Sequence, residues 1–167
     1  MPAAAGKSGW EGFIHMIEHK YNKKKQQWTR MNIIESAAIY GKDGTPWAVS
    51  HSWPGLHTYQ QEQEAEVGTE IVEVNEWKIV DQVSGGIRRP GIRMCREKYT
   101  FTKFDQQYRS ANLVKSNGGA ILAKTNKCIV IGIWNKDALM DNGKNQNVGD
   151  ASMQVEDIAE YLRSLDF

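Results

Sequence analysis

The sequence predicts an α+β domain in which helices cover both faces of an antiparallel sheet. Three observations carry this. From Gly85 onward the chain is a string of short strands, "GIRMCREKY", "YTFTKFDQQ", "SANLVKS", "AILAKT" and "CIVIGIWN", separated by Asp/Gln, Asn-Gly-Gly and Thr-Asn-Lys turns, the spacing of an antiparallel meander. "CIVIGIW" is apolar on both parities, so it belongs in the middle of the sheet with both faces covered. An apolar helical stripe stands near each end of the chain.

The first element is the helix in "SGWEGFIHMIEHKY". Ser8 and Glu11 have the spacing of a capping box, in which each side chain satisfies a free backbone amide. Trp10, Ile14, Ile17 and Tyr21 then fall on one face, with Phe13 beside Trp10, so the first turn is heavily aromatic. "NKKKQQW" reads as a charged loop. Residues 33–40 and 47–51 read as two strands joined by "GKDG", with Asp43 and Gly44 supplying the positive φ of a hairpin turn. Trp47 stands just past that turn, where a core strand would ordinarily carry Val or Ile.

"HSWPGLHTYQQEQEAEVG" breaks the strand at Pro54-Gly55 and continues into a Glu/Gln-rich surface insertion over residues 60–70. "TEIVEVNEWKIVDQV" is expected to be a short helix, with a strand left open by its Val and Ile content. Past the meander, "NKDALMDNGKNQNVGD" is a polar loop. Val155, Ile158, Ala159, Leu162 and Leu165 then form the stripe of a last helix.

The 167 residues are expected to form one domain, residues 1–167, with a flexible start over residues 1–7. A net charge of +1 gives no general pull toward nucleic acid or anionic membrane. Local patches stand out instead. Glu62, Glu64, Glu66, Glu70, Glu73 and Glu76 occur with no basic residue among them, and Arg88, Arg89, Arg93, Arg96, Lys98 and Lys103 face one Glu97. Cys95 and Cys128 have no metal-binding spacing, and His15, His19, His51 and His57 form no ligand set with them, so no metal or other cofactor is expected. A reduced, cytoplasmic setting fits, since "MPAAAGKSGW" lacks the apolar run of a signal peptide and no stretch is long enough to span a bilayer. Phosphate loops, serine elbows and metal spacings of enzymes are missing from the pattern, which argues against catalysis.

The pieces "GWEGFI", "SAAIYGKDGTPWAVS", "GIRMCREKY", "KSNGGAILAKTNKCIVIGIW" and "VEDIAEYL" occur in an order that resembles the profilins over almost the whole chain. The resemblance implies a central antiparallel sheet with the N- and C-terminal helices together on one face and smaller helices on the other. It also implies a non-enzymatic, monomeric adaptor of the cytoplasm and cytoskeleton that regulates actin polymerisation. Such a protein binds monomeric actin, proline-rich segments of partners such as formins, and phosphatidylinositol phosphates.

Carried over by position, the aromatic surface for polyproline would comprise Trp10, Phe13, Trp47, Tyr161, Leu162 and Phe167. Phe13 departs from the family, where tyrosine is usual, and so loses one hydrogen bond worth about 0.5–1.5 kcal/mol. A polyproline II ligand offers rings and carbonyl oxygens but no spare amide donors, so flat rings carrying indole or phenol donors are its natural partner. The actin surface would comprise Lys115, Lys124, Arg88, Arg89, Ser152 and Asp157, with Trp77 or Val80 as an apolar anchor. Arg88, Arg89, Arg93, Arg96 and Lys98 would supply a phosphoinositide patch, although strand alternation places them on mixed faces. The acidic stretch from Tyr59 to Glu70 is longer than the family pattern. The competing reading is a scaffold or sensor of the same architecture that binds peptides or phosphoinositides without actin.

Overall fold

β11 (Cys128–Asn135) is buried along its first six residues and lies inside a seven-stranded sheet, paired antiparallel to β3 (Ser36–Gly41) on one side and β10 (Gly118–Lys124) on the other. The structure is a computed structural model and describes residues 9–22, 24 and 26–167, the side chains of residues 20–22 excepted. Outward from β3 comes β4 (Pro46–Val49); outward from β10 come β9 (Ser110–Lys115), β8 (Glu97–Asp105) and β7 (Ile92–Met94), giving the order β4-β3-β11-β10-β9-β8-β7.

Alternation along the strands splits the interior into two cores. Ala37, Ile39, Ile121, Ala123 and Val130 meet α1 (Glu11–Glu18) and α3 (Val148–Ser164) through Ile14, Ile17, Val155, Ile158 and Leu162. Ala38, Tyr40, Leu122, Ile129 and Ile131 meet α2 (Glu76–Ser84) through Ile79, Val80 and Val83. The terminal helices therefore share one face and the shorter α2 takes the other. Close approach of α3 depends on Gly132, where an added Cβ would stand 2.5 Å from Val155.

Several segments differ from the sequence expectation, each for a local reason. α1 ends at Glu18, and His19 is already extended, so Tyr21 lies on β1 (His19–Asn22) rather than on the helical stripe. The expected charged loop is partly strand: Asn22 ends β1, and Gln27 and Trp28 begin β2 (Gln27–Arg30), which pairs antiparallel with β1, while Lys23 and Lys25 lie outside the described residues. Ser8, of the expected capping box, and residues 1–7 lie outside the described residues. In the β3–β4 turn Gly44 alone adopts positive φ, at 88°. Asp43 instead accepts a hydrogen bond from the Thr45 amide at 3.0 Å, which holds its carboxyl below the usual range. "GIRMCREKY" folds as two strands, because Cys95 and Arg96 both take left-handed φ, 54° and 62°, and turn β7 directly back into β8.

"TEIVEVNEWKIVDQV" is both of the elements left open: β6 (Thr69–Asn75) runs into α2, capped where the Asn75 side chain accepts from the Lys78 amide at 3.1 Å. The Glu/Gln-rich stretch is ordered as β5 (Thr58–Glu64), which pairs with β6 in a separate two-stranded sheet that leaves Val67 and Ile71 exposed.

One side chain fastens that hairpin to the body. Glu76 is fully buried; its carboxylate accepts from the amides of His57 and Arg96, both at 2.8 Å, and from the Tyr59 hydroxyl at 3.2 Å. Its own amide donates to the His57 carbonyl. Three strongly paired donors explain how a carboxylate tolerates complete burial. The bond from the Arg96 amide also holds the left-handed Cys95-Arg96 turn, a conformation that costs roughly 1–2 kcal/mol per non-glycine residue.

Two outcomes follow from this packing. Glu76→Ala strands three donors and is expected to lower unfolding free energy by on the order of 3 kcal/mol in urea denaturation, with Glu76→Gln losing less because one acceptor remains. Burial, reinforced by Glu76 and Glu97, pushes the Cys95 thiol up to about 12, and burial likewise raises Cys128. Native protein at pH 8 is expected to resist alkylation by iodoacetamide at both thiols, and urea-unfolded protein to react at both, as read by mass spectrometry.

Candidate functional site: an aromatic strip on the helical face

Five of the six aromatic-surface candidates come together. Trp10, at the N-terminal end of α1, is the hub: its ring centroid lies 4.5 Å from Trp47, 4.8 Å from Phe167 and 5.2 Å from Phe13. Phe13 continues the strip to Tyr161 at 6.1 Å. The rings are tilted or edge-on, and all five residues are half-buried. Neither indole N–H nor the Tyr161 hydroxyl takes part in a hydrogen bond among the described residues, which leaves three donors on an otherwise apolar surface. Leu162 does not belong to the surface. It is fully buried beneath the strip and supports it from the core.

Local sequence explains each placement. The Trp47 indole packs against Gly41, where a Cβ would come within 2.6 Å of its ring nitrogen. α3 ends in a Schellman turn: Asp166 has φ 66°, its amide donates to the Arg163 carbonyl, and the Phe167 amide reaches back to the Leu162 carbonyl. This reversal swings Phe167 against Trp10. Asp in place of Gly at the left-handed position hid the turn from sequence reading. The α1 end is held by Gln154 of α3, whose amide donates to the carbonyls of Met16 and Ile17 at 2.9 and 3.0 Å. Lys127, also missed, sets its ammonium 5.3 Å from the Phe167 ring.

The other candidates are divided by the sheet. Val80 is 1% exposed in the core beneath α2 and is not available as an anchor. Trp77 stacks on Tyr40 at 5.7 Å and 25° and is half-buried against the β3–β4 turn. Lys115 pairs with Glu97 of β8 at 2.7 Å with its own side chain only 10% exposed, so its charge is engaged within the sheet. Lys124 reaches Asp81 on α2 at 3.4 Å. Arg88 lies over the Phe101 ring, and Arg89 donates to Gln82.

Ser152 and Asp157 lie across the sheet on α3. Asp157 is exposed, and the buried Ser152 hydroxyl has no partner among the described residues. Ser152 borders a shallow cleft of about 340 Å³ between α3 and β8–β9, lined also by Lys103, Asn112 and Val148, across which Ser110 donates to Glu156 at 2.6 Å. Val148 and Met153, 41% and 61% exposed, are the apolar groups this surface presents.

The family model described as Profilin matches residues 20–167. A profilin of Tetrahymena pyriformis is 32% identical over 162 residues, covering 93% of this chain and 97% of that protein. Among solved structures, Acanthamoeba castellanii profilin IA superimposes with a TM-score of 0.57 at 25% identity, over 81% of this chain and 89% of its own. Mouse profilin IIa, solved with a double repeat from the FH1 domain of mDia1, shares the fold at a TM-score of 0.50 and 14% identity, over 80% and 89% of the two chains. A terminal-helix pair carrying one aromatic strip, on a sheet of this order, in a chain matched by that model over most of its length, makes the protein a member of the profilin family of actin-binding regulators of polymerisation.

Proposed function

We propose that the protein binds actin monomers and, through the strip centred on Trp10, proline-rich segments of partner proteins, working in the cytoplasm beside the actin cytoskeleton. The observation that carries the proline reading is the gathering of five half-buried rings from three separate chain segments into one surface with unbonded donors. Packing alone would use Leu and Ile at such positions. A polyproline II helix fits what is left open: its rings stack on the indoles, and its carbonyls accept from indole and phenol groups. Phe13 and Phe167 carry no hydroxyl, so the strip offers fewer donors than aromatic content suggests.

For actin, family membership supports the reading, and the half of α3 nearest its N-terminus is the surface we assign to it. Val148 and Met153 replace Val80 as exposed apolar anchors there, with Asp157 and the Ser152 cleft beside them. Lys124, Arg88 and Arg89 flank α2 on the other side of the sheet.

Titration with a proline decamer is expected to change tryptophan emission, and Trp47→Ala to weaken binding by at least about tenfold, as for a central aromatic anchor. Phe13→Tyr is expected to tighten it, by the worth of one hydrogen bond, about 0.5–1.5 kcal/mol. No response of the unaltered protein at millimolar peptide would overturn the groove. Met153→Glu is expected to shorten the delay that the protein imposes on pyrene-actin assembly while leaving the proline response unchanged. Lys115→Glu, by contrast, is expected to lower stability because it sets two carboxylates together with Glu97.

A further inference from the structure

A second concavity lies on the α2 side of the sheet, away from the aromatic strip. The inward face of β5–β6 (Gln61, Gln63, Val72), the exposed side of α2 (Lys78, Gln82) and the β7–β8 hairpin (Arg93, Lys98) enclose about 600 Å³. Its charge is one-sided: Lys78, Arg89, Arg93 and Lys98 border it against the one carboxylate of Glu73. Glu62 and Glu64 are not among the lining residues, and Glu70, opposite Gln63 and bonded to its amide at 3.1 Å, stands toward the hairpin tip outside that lining. Among the described residues, Lys78, Arg93 and Lys98 have no ion-pair partner.

The decisive observation is the register of β7–β8. Arg93 sits directly opposite Lys98, a like-charge cross-strand pair that destabilises the ladder. The strands cannot slip to relieve it, because both turn residues are fixed in left-handed φ and the Arg96 amide is bonded to buried Glu76. The fold thus holds two cations side by side, neither in an ion pair among the described residues, at the wall of a cleft where Glu73 is the one carboxylate and whose lining also includes amide side chains and apolar Val72, Ile79 and Pro90.

We propose that this cleft docks an extended acidic segment of a partner protein. Carboxylates of the segment pair with Arg93, Lys98 and Lys78, and the amides of Gln61, Gln63 and Gln82 meet its backbone. The cations come from three different elements, α2, the loop after it and β7–β8, and are interleaved with amides and apolar groups. That lining suits a peptide better than a single phosphate. The inference uses neither the aromatic strip nor α3, and of the carried-over actin candidates only Arg89 borders the cleft.

The test is fluorescence anisotropy with a labelled decapeptide of alternating Glu and Ala at low salt. Saturable binding is expected, weakened at least about tenfold by Arg93→Glu with Lys98→Glu, unaffected by Trp47→Ala and by Lys136→Glu at a remote exposed site, and falling as salt rises. Circular dichroism and the proline response report whether the double variant keeps its fold; if it does not, Arg93→Gln and Lys98→Gln take its place. Absence of binding, or equal loss with Lys136→Glu, overturns the proposal. So does capture of phosphoinositide vesicles through Arg93 and Lys98 by a protein that ignores the peptide. Self-association at high concentration that Arg93→Glu abolishes also overturns it, because the occupant would then be the acidic hairpin of a second copy.

Discussion

The aromatic strip depends on how an eight-residue helix is held. A helix of this length does not persist by its own hydrogen bonds, so the position of α1 is a tertiary fact. Burial of Ile14, Met16 and Ile17 against α3 and the sheet supplies most of the attraction. The two bonds from Gln154 to the last carbonyls of α1 fix where along α3 it sits. Those carbonyls are among the groups a helix end leaves unpaired, so one side chain both satisfies them and sets the register. Trp10 and Phe13 reach Phe167 and Tyr161 because of that register.

The doubly buried β11 has a related effect on function. By separating two cores it lets the molecule present unrelated surfaces on its two faces: flat rings where α1 and α3 meet, and charge around α2. Changes in one core reach the other only through the sheet, whose central strands are hydrogen-bonded on both sides. The surfaces can therefore be altered separately at modest cost in stability, provided the substituted residue is not one such as Leu162 or Val80 that faces inward.

Much of this was legible because the signals were local and periodic. The two-parity apolar run of β11, the stripe of α3, the β3–β4 hairpin and the cluster of Trp10, Trp47, Tyr161 and Phe167 all follow from residue spacing or from the order of motifs. What escaped depended on non-local contacts or on unusual residues in ordinary roles. Cys95-Arg96 and Asp166 occupy left-handed positions where glycine or asparagine would have announced a turn. The β1–β2 hairpin is hidden by a charged, low-apolar sequence whose strands are held by pairing rather than by burial. Leu162 and Val80 were misplaced as surface groups because a helical stripe tells which face is apolar, not how deeply each residue sits. Lys115 looked like a free surface cation, since its partner Glu97 is 18 residues away on another strand.

Glu76 brings residues 57, 59 and 96 to one carboxylate, and with that it pins both ends of the acidic hairpin where they leave the body. Beyond the pin, strands β5 and β6 bond mainly to each other, and the sheet of seven strands takes no register from them. The hairpin is in this sense a socketed appendage. Its tip can lengthen, shorten or change composition over evolutionary time without a compensating change in the core, whereas the glutamate at its root cannot be exchanged so freely. A protein built this way can acquire a new surface specificity at the cost of a few residues, and the place to look for such divergence is the stretch between Gln60 and Glu73.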